Sequence, residues 1–183
     1  MPLEGGIEPL PVAGKLCFAS LGSGSKGNAT LVSDGETMVL VDCGFGLRDA
    51  ERRLARFGVH PRQLDAVLVT HEHGDHLRGV GPLARRHAVP VYITPGTWLS
   101  GRLGEVPQRH WITPQSRFAV KSLTIDPITV PHDAREPVQF RFESRDCRLG
   151  VLTDLGHPTD HVAAAFRGCD ALILECNHDR HML

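Results

Sequence analysis

The sequence has no paired cysteines. Its five, Cys17, Cys43, Cys147, Cys169 and Cys176, are scattered singly, and none forms a CxxC pair. An odd, dispersed set argues against a disulfide framework and against a cysteine-built zinc site, and it points to a reducing compartment. No apolar run approaches membrane-spanning length. The opening MPLEGGIEPLPVAG is acidic and rich in Pro and Gly, not basic and then apolar, so it does not read as a signal peptide. The expectation is a cytoplasmic protein with no membrane partner. An excess of charge is also missing. The formal net charge is −1, so any polyanion must be met by a local patch. Lysine is scarce, and most basic residues are arginine. No repeat, low-complexity segment or domain linker interrupts the chain.

The 183 residues, 41% hydrophobic and 22% charged, suit one domain with a sizeable core. Residues 1–14 read as a flexible leader and 15–183 as the domain. Strands fit Lys15–Leu21, Ala29–Ser33 and Thr37–Val41, with a hairpin turn at Asp34-Gly35. Leu47, Ala50, Leu54 and Phe57 recur at helical spacing before Gly58. Asp65–Thr70 is a short buried strand, Leu77–His87 a helix, Val91–Ile93 a strand and Thr94–Leu103 a short helix. One or two strands fit Phe118–Val130, with an interruption at Asp126-Pro127. Strands follow at Val138–Glu143 and Arg148–Leu152, then a helix with Pro158 at its first position. Ala171–Leu174 reads as a last buried strand. The class is layered α/β.

Eleven histidines are the unusual count. Four potential ligands stand together in His71-Glu-His73-Gly-Asp75-His76, just beyond a buried strand. Neutral imidazole and carboxylate suit zinc, manganese and iron. A turn leaving a strand can aim His71 and His73 at one ion, and Gly74 permits a bend that brings Asp75 and His76 to a second. Chance would produce HxHxDH in such a chain roughly 2 times in 1000. Asp42, His132 and Asp154 each follow an apolar or β-rich stretch, and strand ends gathered at one sheet edge are where sites are built. Gly22–Gly27 is a Gly/Ser loop whose N–H groups, with Ser23, Ser25 and Asn28, would suit a phosphate. Arg48, Arg52 and Arg56 share a helical face that reads as solvated, with DNA-backbone contact the sharper alternative.

These motifs resemble the metallo-β-lactamase fold superfamily. The set Ser23-Gly-Ser-Lys-Gly-Asn28-Ala-Thr30, Val41-Asp-Cys-Gly44, Thr70 through His76, Pro131-His-Asp-Ala134, Thr153-Asp-Leu-Gly156 and Glu175-Cys-Asn-His-Asp179 is similar to its YycJ/WalJ branch. The resemblance runs in order from about residue 15 to 183. It implies an αββα sandwich, incomplete at the C-terminus, and a metal-dependent phosphodiesterase acting on DNA from the 5′ end through a metal-bound hydroxide. It implies two divalent ions, zinc or manganese. His71, His73 and His132 would bind the first, Asp75 and His76 the second, and Asp154 would bridge them. Asp42 would orient the histidine loop from behind. Asp75 would also orient the hydroxide, and His178 would protonate the leaving oxygen or contact a phosphate. The family's further C-terminal histidine lies beyond the end of this chain, which implies a weaker second site. Two other readings use the same cluster. One is hydrolysis of a small thioester, lactone or cyclic phosphodiester, and the other is a metal-binding fragment without turnover.

Overall fold

Asp34 starts the chain reversal that the sequence marks: its Oδ1 accepts from the N–H groups of Glu36 and Thr37. The turn joins β2 (Ala29–Ser33) to β3 (Met38–Val41), with β1 (Cys17–Gly22) antiparallel on the far side of β2. The computed structural model describes residues 15–174. After β3 the chain crosses over through α1 (Leu47–Ala55) and adds parallel strands β4 (Ala66–Leu68), β5 (Val91–Ile93) and β6 (Arg109–Trp111). The first sheet thus runs β1-β2-β3-β4-β5-β6. α2 (Gly74–Leu77), α3 (Val80–His87) and α4 (Pro95–Trp98) fill its connections. The second sheet contains β7 (Phe118–Val120), β8 (Leu123–Thr129), β9 (Val138–Ser144), β10 (Cys147–Leu152) and β11 (Ala171–Leu174), in the order β11-β10-β9-β8-β7. α5 (Asp160–Phe166) makes the parallel crossover from β10 to β11.

Period-2 alternation divides the apolar residues between layers. On β2, Leu31 faces the helices with Leu40, Val67, Leu54 and Leu83, while Val32 faces the second sheet with Val39, Leu68, Phe140 and Phe142. A third cluster, including Ile128, Leu152, Val162 and Phe166, lies under α5. Helix, sheet, sheet and helix therefore stack as an αββα sandwich. Among the described residues no helix is long and apolar enough to cross a membrane.

Several elements differ from the sequence expectation, each for a local reason. The helix expected over Leu77–His87 is two, broken where Gly79 packs so tightly that a Cβ would lie 2.0 Å from the Phe45 carbonyl oxygen. β8 runs through Asp126-Pro127, because β7 pairs only with Leu123 to Ile125 and leaves that side of Pro127 without a ladder to break. The interruption falls instead at Lys121, whose φ is 48°. α5 starts at Asp160, capped by Thr159 Oγ1 accepting from Val162 N–H at 3.2 Å, and not at Pro158. Among the described residues β11 lies at the edge of its sheet, with Leu172 45% and Leu174 53% accessible, where a buried strand was expected.

Gly44, just after β3, shows how closely the sheet edge is packed. A Cβ there would lie 1.7 Å from the Asp75 carbonyl oxygen. Gly44→Ala is expected to cost about 1–3 kcal/mol of stability, seen as a thermal midpoint several degrees lower by circular dichroism, roughly 2–4 °C per kcal/mol at this size. An unchanged midpoint would show that the two segments separate without cost.

Candidate metal centre

Four strand ends, two from each sheet, deliver the polar cluster. Asp42 follows β3; Thr70 and His71 follow β4; His132 follows β8; Asp154 follows β10. His73 precedes α2, and Asp75 and His76 lie within it. Main-chain bonds lock these segments: Asp42 N–H donates to Leu68 O at 2.9 Å, Cys43 N–H to His76 O at 2.8 Å and Asn28 N–H to Asp75 O at 2.7 Å.

His71 Nε2, His73 Nδ1 and His132 Nε2 form a nearly equilateral triangle. The separations are 3.1 Å from His71 to His73, 3.3 Å from His71 to His132 and 3.1 Å from His73 to His132. Tetrahedral zinc with Zn–N distances of about 2.0–2.1 Å requires nitrogens roughly 3.3–3.4 Å apart. The three rings therefore fit one face of such a coordination shell. A second group joins His71, His76 and Asp154. Asp154 Oδ2 is buried between two imidazoles, 2.7 Å from His76 Nε2 and 3.8 Å from His71 Nε2. A buried carboxylate oxygen so placed also fits a cation. The fold and these donors support divalent metal binding.

Asp42 sets the orientation of both groups. It is 1% exposed and adopts φ 59°, a left-handed conformation that Asp tolerates better than most residues. Its Oδ2 accepts from Thr70 Oγ1 at 2.6 Å and faces His76 Nδ1 at 2.8 Å, and its Oδ1 accepts from Thr70 N–H at 2.8 Å. With its proton committed to Asp42, Thr70 Oγ1 is left to accept from His71 Nδ1, 2.9 Å away. The network therefore places an N–H at Nδ1 of both histidines and leaves Nε2 as the nitrogen each would offer to a metal. Burial, reinforced by the charge of His76, pushes His71 down to about 2, so this ring is neutral at pH 7. Burial acts in the same direction on His76, but Asp42 and Asp154 outweigh it and raise that ring to about 10. Burial opposes the ionised form of Asp154, but His76 outweighs burial and holds the carboxyl below its usual range.

The remaining sequence candidates divide. Asp75 joins neither donor group; its Oδ2 is 3.7 Å from His76 Nε2 and accepts from Asn28 Nδ2 at 3.2 Å. Asn28 was expected to contact substrate beside Ser23 and Ser25. It is 4% exposed, and its Oδ1 accepts from Gly24 N–H at 2.7 Å, so it ties the Gly/Ser loop to Asp75. Ser23 and Ser25 are exposed on that loop. Arg48, Arg52 and Arg56 are exposed, and Arg52 pairs with Asp49, as a solvated face requires. His157 and His161 are exposed. His178 lies outside the described residues, as does the 1–14 leader. Two contributors were missed. Thr70, whose only signal was its place between strand and cluster, relays Asp42 to His71. Glu72 Oε1 accepts from Arg135 N–H at 2.9 Å and ties the histidine loop to the His132 loop.

Metal binding here should release a proton. His76, raised to about 10, is charged at pH 7, and a cation at Nε2 must displace that proton. Apparent metal affinity should therefore rise about tenfold per pH unit between pH 7 and 9, as read by chelator competition. A flat profile would show that His76 is not displaced.

The comparisons agree with this geometry. The model of the β-lactamase superfamily domain matches residues 37–183. The chain is 33% identical over 172 residues to exodeoxyribonuclease YycJ of Bacillus anthracis, covering 92% of this chain and 65% of that protein. It is 34% identical over 172 residues to exodeoxyribonuclease WalJ of Streptococcus pneumoniae serotype 2, covering 91% of this chain and 64% of that protein. The chain thus spans slightly under two thirds of the length of these curated relatives. Among solved structures, the metallo-β-lactamase fold protein YhfI from Bacillus subtilis superposes with a TM-score of 0.75 at 22% identity, covering 88% of this chain and 70% of that one. With 147 of its 183 residues matched and the αββα layers in place, the chain belongs to the β-lactamase superfamily domain family and has the metallo-β-lactamase fold.

Proposed function

We propose that this protein is a metal-dependent phosphodiesterase that degrades DNA from the 5′ end. The observation that carries the proposal is the triangle of imidazole nitrogens, 3.1 to 3.3 Å apart, beside the His76–Asp154 pair. The choice of DNA is supported by the two relatives named as exodeoxyribonucleases. Two divalent ions, zinc or manganese, are the proposed cofactors. His71, His73 and His132 would hold one, and Asp75, His76 and Asp154 would serve the other. When bound, such ions lower the pKa of water toward neutrality and neutralise charge on a phosphoryl oxygen.

The chain's own groups do the positioning. Asp42 and Thr70 fix the His71 and His76 rings from behind, so neither ring must reorient on binding. Asn28 holds the Asp75 carboxylate, 30% accessible, where it orients an attacking water. Ser23, Ser25 and the adjacent N–H groups of the Gly/Ser loop receive a phosphate. His178 is the proposed proton donor to the leaving oxygen. Cys17, Cys43, Cys147 and Cys169 are free thiols, which supports work in the reducing cytoplasm.

The expected result with manganese or zinc is loss of 5′-phosphorylated linear DNA, abolished by EDTA and weakened steeply by salt. Asp75→Ala should lower the rate at least about a hundredfold. Equal rates in the two proteins would overturn the assigned role of Asp75. Turnover of bis-p-nitrophenyl phosphate with intact DNA would instead favour a small-substrate hydrolase.

A further inference from the structure

The chain's two tryptophans lie together, Trp98 packed half-buried against the helix-side core and Trp111 at the surface. Arg109, on β6, places its guanidinium carbon 4.4 Å from the ring centre of Trp98 and 4.2 Å from that of Trp111. The two indoles stand edge to face, 6.1 Å apart at 84°. Trp111 remains 49% exposed, and all of β6 is exposed, at the edge of the first sheet among the described residues. A large aromatic left in water beside a cation needs a reason, since the same ring buried in a core would stabilise the fold.

Its position supplies one. β4, β5 and β6 are parallel, and Ile93 pairs with Trp111, so Trp111 stands at the same strand-end edge that delivers His71. Two strand spacings separate β6 from β4, about 10 Å. The intervening surface is tied to the metal loops. Arg102 Nη1 donates to the carbonyl of Glu72, between His71 and His73, at 3.3 Å. Gly96, two residues before Trp98, donates its N–H to Glu136 Oε2 at 2.6 Å, on the loop that carries His132.

We infer that Trp111, braced by Arg109 and Trp98, is a stacking platform for a base of single-stranded DNA a few nucleotides from the metal centre. Arg102 and Arg109 meet the adjoining phosphates. An exposed indole next to guanidinium groups is the chemistry that holds single strands without regard to sequence, because every base has a π face. This rests on the nuclease reading, and it adds where the strand runs beyond the cleaved bond.

The test uses phosphorothioate dT12, which resists cleavage, and an abasic strand of equal length. Both tryptophans belong to the platform, so stacking on it should quench the intrinsic fluorescence of the wild-type protein. dT12 should bind roughly tenfold more tightly than the abasic strand, as one stacked base predicts. Trp111→Phe should keep most of that preference and Trp111→Leu, of comparable bulk but without a π face, should lose it. Anisotropy of labelled strands measures both variants, with thermal midpoints as the control for folding. Equal affinity of wild type for the two strands, or equal behaviour of the Phe and Leu variants, would overturn the platform. DNA degradation without dT12 quenching would sink the platform alone, and quenching without degradation would sink the nuclease reading alone.

Discussion

The Asp42 carboxylate is the constraint on which the site depends. It is buried, and its oxygens face three donors: the Thr70 N–H, the Thr70 hydroxyl and the His76 ring. Through Thr70 it also reaches His71. One negative charge thereby places an N–H at Nδ1 of two imidazoles and leaves their Nε2 atoms facing the centre. The same charge, with Asp154, favours a positive species at His76. A proton answers that demand when the site is otherwise empty of cations, and a divalent ion answers it better. A buried carboxylate without such partners would be strongly destabilising, so the network is as much a condition of the fold as of the chemistry.

The sandwich explains why the donors meet. Parallel strands β3, β4, β5 and β6 all end on one edge, and β8 and β10 of the facing sheet bring His132 and Asp154 to the same mouth. Residues as far apart in sequence as Asp42 and Asp154 are therefore neighbours without any long excursion of the chain. Close backbone contact then sets the registration. Gly44 against Asp75 and Gly79 against Phe45 leave no room for a side chain, so the loop bearing Asp75 and His76 has little freedom to drift.

The donors were legible in the sequence because HxHxDH is contiguous, and because Asp42, His132 and Asp154 each end a β-rich run. The hairpin at Asp34-Gly35 and the strands Ala29–Ser33 and Val91–Ile93 were equally plain, since local turn chemistry and apolar runs decide them. What pairing alone creates was not visible. β6 is three exposed residues that are a strand only because β5 lies alongside, so the Trp98–Arg109–Trp111 group had no signature. The inward turn of Asn28 was hidden for a similar reason. In a Gly/Ser loop the residue reads as a surface contact, and only the approach of Asp75 from 47 residues away turns its amide inward. Burial of β11 was over-read from its composition, because four apolar residues do not reveal that they lie on a sheet edge.

The central claim is that this edge is built to hold divalent metal with its rings already in place. Anomalous diffraction at the zinc edge from zinc-soaked crystals tests it directly. The expected result is an ion within about 2.0–2.1 Å of His71 Nε2, His73 Nδ1 and His132 Nε2, with those rings essentially where they now stand. An ion bound elsewhere, or a site formed only after the His71 ring breaks from Thr70, would contradict it.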